Sequence, residues 1–175
     1  MHVKITLKNG VRIIYENVPH VRSASLYVWV GVGSRYETAA ENGASHFIEH
    51  MVFKGTETHS AEELACMMDT LGGQVNAFTT KECTCFYGKV LDTQLDRLTD
   101  ILCDMLFRSR FDETDVINER SVIFEEIDMY DDTPEDLVSE RLSTAVYKGS
   151  SLSRPILGTK KTLEKMTGAS LLVKP

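Results

Sequence analysis

Residues 44–55, ASHFIEHMVFKG, set two histidines four apart, with a glutamate directly before the second, among apolar side chains. Each residue of an α-helix advances about 100°, so His46, Glu49 and His50 share one arc about 100° wide. Two imidazoles and a carboxylate are costly to bury unless something pairs with them. Any fold that hides this helix must bring it a partner. Two arrangements meet that demand: a metal ion held by the histidines at i and i+4, or core histidines with one hydrogen-bonded carboxylate. The order H-x-x-E-H reverses the commoner H-E-x-x-H zinc motif.

A second anomaly lies in INERSVIFEEIDMY, residues 117–130. Read as a helix, it places Glu126 two turns beyond Glu119 and only about 20° away. Val116, Val122, Ile123 and Tyr130 share that side, whereas Glu125 and Asp128 turn to the polar face. Two carboxylates in an apolar stripe need a cation or a paired base, and buried salt bridges to arginines would also serve. A catalytic zinc needs three protein ligands and an open position. The first helix offers two ligands and the second offers a third, so the two anomalies resolve each other.

The rest of the chain tells what carries these helices. VKITLKNGVRIIYEN is a pair of alternating runs around Asn9-Gly10, a hairpin signal. SASLYVWVGVGS, residues 23–34, predicts an internal strand, and QVNAFTTKECTCFYGKV, residues 74–90, predicts two strands paired around Lys81-Glu82. A helix is expected from Ala44 to about Phe53, and Ser60 caps another that ends at a glycine pair. LDTQLDRLTDILCDMLF and DETDVINERSVIFEEIDMYDD read as longer helices, and Pro134 opens a further one through Tyr147. Strands gather first and helices later. That order predicts an α+β domain with helices packed on one face of a largely antiparallel sheet. TKKTLEKMT begins like a helix, and GASLLVKP then stops without a return strand, as in a domain lacking its last elements.

With 175 residues, 42 % of them apolar, the chain can bury one core. Its net charge of −7, with no basic cluster, argues against nucleic acid or an anionic membrane as partner. No apolar run approaches the roughly 20 residues that span a bilayer, and MHVKITLKNG does not read as a signal peptide. A cytoplasmic protein is expected. Cys66, Cys83, Cys85 and Cys103 form no C-x-x-C pair and are expected to be reduced thiols. His20 and His59 lack partners at ligand spacing and read as ordinary surface or loop histidines.

Four segments together resemble one family. ENGASHFIEHMVFKGT, LGGQVNAFTTKECTCFY, NERSVIFEEI and RPILGT, in this order, are similar to the N-terminal catalytic domain of the pitrilysin-type zinc peptidases. That group includes the mitochondrial processing peptidases, their bacterial relatives and insulysin, and the likeness is nearest to the bacterial processing-peptidase-like members. It covers essentially residues 1–166. The resemblance implies Zn2+ held by His46, His50 and Glu126, with Glu49 as general base and Glu119 as a supporting carboxylate. It also implies a peptide substrate held along an edge strand that includes Asn76, Ala77, Phe78 and Thr79. Family members are clamshells of two related halves. The resemblance thus makes residues 1–175 a partial N-terminal domain without its second half, which a second copy or a C-terminal-half partner would supply. The expected function is a zinc-dependent endopeptidase; the competing expectation is a zinc-binding but inactive fragment, or an interaction module of the same fold.

Overall fold

The computed structural model describes residues 2–172. Two sheets form. β1 (His2–Thr6) and β2 (Arg12–Glu16) pair antiparallel about the Asn9-Gly10 turn. The larger sheet contains β3 (Ser23–Val30), β4 (Gln74–Thr79) and β5 (Thr84–Leu91), all antiparallel, in the order β3-β5-β4. The strand expected to be internal, β3, therefore lies at an edge, and it ends at Val30. β5 takes the centre because it has two neighbours: the short turn from β4 gives one, and Tyr27 facing Tyr87 fixes the register of the other.

α1 (Ala44–Met51) ends two residues earlier than expected, and α2 (Ala61–Thr70) starts at Ser60 with a reciprocal cap between Ser60 and Glu63. α3 (Leu95–Arg108), α4 (Glu113–Asp131) and α5 (Pro134–Val146) follow. The segment after Thr159 breaks into two single turns, α6 (Lys160–Leu163) and α7 (Gly168–Leu171). Threonines 159 and 167 cap these turns through their hydroxyls, and that local bonding competes with one continuous helix. The end of the apolar tail, residues 173–175, lies outside the described residues. No described helix is long and apolar enough to cross a membrane.

α1, α2 and α3 cover one face of the larger sheet. The other face carries an aromatic layer in which Tyr27 stacks on Tyr87, and Trp29 meets Phe78 edge-on. Two buried clusters meet at α1. Phe86, Val90, Leu98, Ile101 and Met105 form the first, between the sheet and α3, and Val52 joins it from the end of α1. Phe47 and Met51 enter the second with Val116, Ile123, Leu163 and Leu171. α1 is thus wedged between two cores, which fixes both its axis and its rotation. On α4, Val116, Glu119 and Ile123 are buried as the sequence pattern implies, but Val122 is 47 % exposed. The helix covers only a narrow stripe, and Val122 falls past its edge.

Candidate metal centre

α1 has no side-chain cap of its own, because Gly43 occupies that position with φ of 100°. Glu37 replaces the cap from six residues upstream. Its carboxylate accepts the backbone N–H of Gly43 at 2.8 Å and of Ser45 at 2.7 Å. A negative charge there also suits the positive end of the helix dipole. The RPILGT segment clamps this corner: the Arg154 side chain donates to the Glu37 carbonyl, and Asn42 donates to the Pro155 carbonyl at 2.9 Å. Gly158 (φ 79°) lies so close that a Cβ would come within 2.4 Å of the Asn42 carbonyl. Only glycine fits this approach.

So held, α1 aims His46, Glu49 and His50 at α4 and β4. The Nε2 atoms of His46 and His50 lie 3.2 Å apart. One oxygen of Glu126, Oε2, stands 3.7 Å from the first and 3.6 Å from the second. Bonds of about 2.0–2.1 Å in tetrahedral coordination put ligand atoms about 3.3 Å apart, so a small contraction of this triangle accommodates zinc. The chemistry agrees. Glu119 accepts a hydrogen bond from His50 Nδ1 at 2.8 Å, which turns the other ring nitrogen, Nε2, toward His46 and Glu126. Burial, and then the neighbouring His50, lower the His46 pKa to about 4, so this ring is neutral at pH 7 and in its ligand form. Its Nδ1 is buried without a hydrogen-bond partner.

The carboxylates divide by environment. Burial raises the pKa of Glu126, with His50 opposing, and it also raises that of Glu49, with Thr79 opposing. For Glu119 burial acts upward too, but the hydrogen bonds from His50 and Lys54 outweigh it and hold the pKa below the usual range. Thr79 on β4 donates to Glu49 at 2.5 Å. His46, Glu49 and Glu126 open onto a cleft of about 390 Å³, walled by Ala77, Phe78 and Thr79 on one side and by Tyr130, Asp136 and Glu140 on the other.

The structure brings His46, Glu49, His50, Glu119 and Glu126 together and sets Ala77, Phe78 and Thr79 along the cleft; Asn76 does not line it, and its side-chain oxygen accepts the Ala77 N–H at 2.8 Å. The buried carboxylate Glu119 is paired with a lysine and a histidine and not with an arginine. Two residues join the site that the motif pattern does not single out: Lys54, whose Nζ lies 2.6 Å from Glu119 and whose sequence signal is its position four residues after His50, and Glu37, which carries no local signal. His20 is exposed, while His59 is a loop histidine bound to Asp104 at 3.0 Å and is not part of the His46–His50–Glu126 group.

The model of the insulinase family, peptidase family M16, matches residues 12–160. A protein of Bacillus subtilis named as the uncharacterized zinc protease YmxG is 54 % identical over 168 residues, covering 96 % of this chain and 41 % of its own length. A protease from Helicobacter pylori superposes with a TM-score of 0.91 at 24 % identity, over 98 % of this chain and 42 % of that one. An M16 inactive domain from Pseudomonas fluorescens gives 0.89 at 14 % identity, over 98 % of this chain and 42 % of its own. The last two establish the fold alone. The chain spans about two-fifths of the length of the relatives it matches.

Proposed function

This chain belongs to the insulinase family, peptidase family M16, and from that premise we propose that it forms the zinc-binding part of a metalloendopeptidase acting on extended peptides. The observation that carries the proposal is the triangle of His46 Nε2, His50 Nε2 and Glu126 Oε2, with Glu49 in the same cleft and, beside it, a strand edge unpaired among the described residues. His46, His50 and Glu126 are the ligands in this reading. Zinc, when bound, supplies Lewis acidity toward the scissile carbonyl and lowers the pKa of a water toward about 7.

The protein's own groups do the rest. Glu49 takes a proton from the attacking water and returns it to the leaving amine. Burial favours its protonated form, which eases the first transfer, and the Thr79 hydroxyl keeps one oxygen in place while the other works. Among the described residues β4 pairs only with β5, so its far edge is free to add a substrate strand. The Asn76 side chain holds the Ala77 N–H in the meantime, and a peptide carbonyl would take that donor in its place. Phe78 and Thr79 then lie beside the bound chain.

The remaining three-fifths of the relatives' length is the natural source of a second half that closes the cleft, or a second copy takes that part. The competing reading is a zinc-binding but inactive fragment, or an interaction module of the same fold. The compartment in this reading is the cytoplasm, supported by four cysteines that are all free thiols.

Metal analysis with a peptide assay separates the readings. The purified protein should contain one zinc per chain and cleave an unstructured, internally quenched peptide in a chelator-sensitive way. Glu49→Gln should keep the zinc and lose at least about 100-fold in kcat, the usual worth of a general base. Undiminished cleavage by that variant would remove Glu49 from the mechanism. A zinc-loaded but inert wild-type protein would favour the module.

A further inference from the structure

One strong contact at this centre has no part in the mechanism above. Lys54 stands three residues beyond the end of α1, with its Nζ 2.6 Å from Glu119 Oε2. The other oxygen of that carboxylate, Oε1, holds His50 Nδ1 at 2.8 Å. Glu119 is buried, and a donor on each oxygen leaves its plane no freedom to turn.

The loop that follows Lys54 is held to α3. Buried Asp104 on α3 accepts the Thr56 hydroxyl at 2.7 Å and the Thr58 hydroxyl at 3.0 Å, and it faces His59 Nδ1 at 3.0 Å. Glu57 donates its N–H to the Arg108 carbonyl at 2.9 Å, and Arg110 donates to the Gly55 carbonyl at 3.3 Å. These bonds tie residues 55–59 to the end of α3, so Lys54 enters a loop that cannot drift. A polar cluster outside the metal centre thereby reaches it through one side chain.

We propose that Lys54 is a positioning residue of the metal site, acting through Glu119 to hold His50 Nε2 on the ion; this rests on the zinc reading above. An acceptor at Nδ1 orients an imidazole that binds metal through Nε2, and of the two histidines only His50 has one among the described residues. With only His50 as partner, the Glu119 carboxylate can rotate about its Cγ–Cδ bond, and the ring loses its fixed orientation. With Lys54 on the second oxygen, it cannot. Thr79 and Glu37 constrain the base and the helix; Lys54 constrains a ligand.

The test is zinc affinity, measured on metal-free protein by competition with a chromophoric chelator, beside the thermal midpoint of the same metal-free samples. Lys54→Met should weaken zinc binding about tenfold, at the lower end of the about 10- to 100-fold that outer-sphere partners of ligands carry. Lys54→Arg should recover most of that loss, since it restores a cationic donor. In a Glu119→Gln background, Lys54→Met should cost nothing further, because the path runs through that carboxylate. Should Lys54→Met fail to fold, Lys54→Ala, which likewise has no donor, takes its place. Wild-type affinity in the folded variant, or an undiminished tenfold loss on top of Glu119→Gln, overturns the positioning role and leaves the zinc site standing. A wild-type protein that takes up no zinc overturns both.

Discussion

The helix α1 and the hairpin β1–β2 are both patterned for burial, yet only one of them is buried. α1 sinks Phe47 and Met51 between two cores, with 0 % and 1 % exposure. The hairpin aligns Val3 with Tyr15 and Ile5 with Ile13 on one face, and Ile13 remains 44 % exposed. Alternation in a strand shows which face would gain from cover; it does not show that the cover lies in the same stretch of chain. The difference has a consequence for function. The elements that carry His46, His50 and Glu126 are packed against one another, whereas a two-stranded hairpin is marginal by itself. The candidate site should therefore be indifferent to what happens at β1–β2.

The largest break of that comparison comes at Glu126. Glu126→Ala should abolish stoichiometric zinc at micromolar concentration, read by elemental analysis, because two imidazoles alone leave the ion without its third protein ligand. One zinc per chain in that variant would move the ligand set elsewhere. Phe47→Ala should come next, destabilising the protein by about 3–5 kcal/mol in denaturant unfolding, the usual cost of emptying a fully buried aromatic site. A loss below about 1 kcal/mol would mean that α1 is not wedged as described.

How far the sequence reaches can be judged from the same two regions. The hairpin was legible because Asn9-Gly10 suits a tight turn, and α2 because Ser60 and Glu63 cap each other locally. The convergence of His46, His50 and Glu126 was legible because helical spacing is rigid: the two histidines had to share a face, and Glu126 stood out as a carboxylate in an apolar stripe. What escaped is non-local. Strand order depends on which partner β5 takes on its second edge, and nothing in the 23–34 segment states that β3 will be left outside. Val122 has the right angle on α4 but lies past the neighbour that covers Val116 and Ile123. Glu37 caps a helix it does not belong to, and Lys54 meets an acid 65 positions away (119 − 54). Contacts of that kind exist only once the fold has brought their elements together.

The smallest expected effect is also the sharpest test of the contrast. Ile13→Thr keeps a β-branched side chain, so strand propensity barely changes while apolar surface is lost. If the hairpin face is bare, as its exposure indicates, the unfolding free energy should shift by no more than about 0.5 kcal/mol, the range of ordinary surface substitutions. Zinc content should not change, since β1 and β2 supply none of the ligands. A cost well above about 1 kcal/mol would show instead that the Val3–Ile5–Ile13–Tyr15 face is covered in solution. The alternation would then have been satisfied by a surface outside residues 2–172, and the two regions would differ only in where their cover comes from.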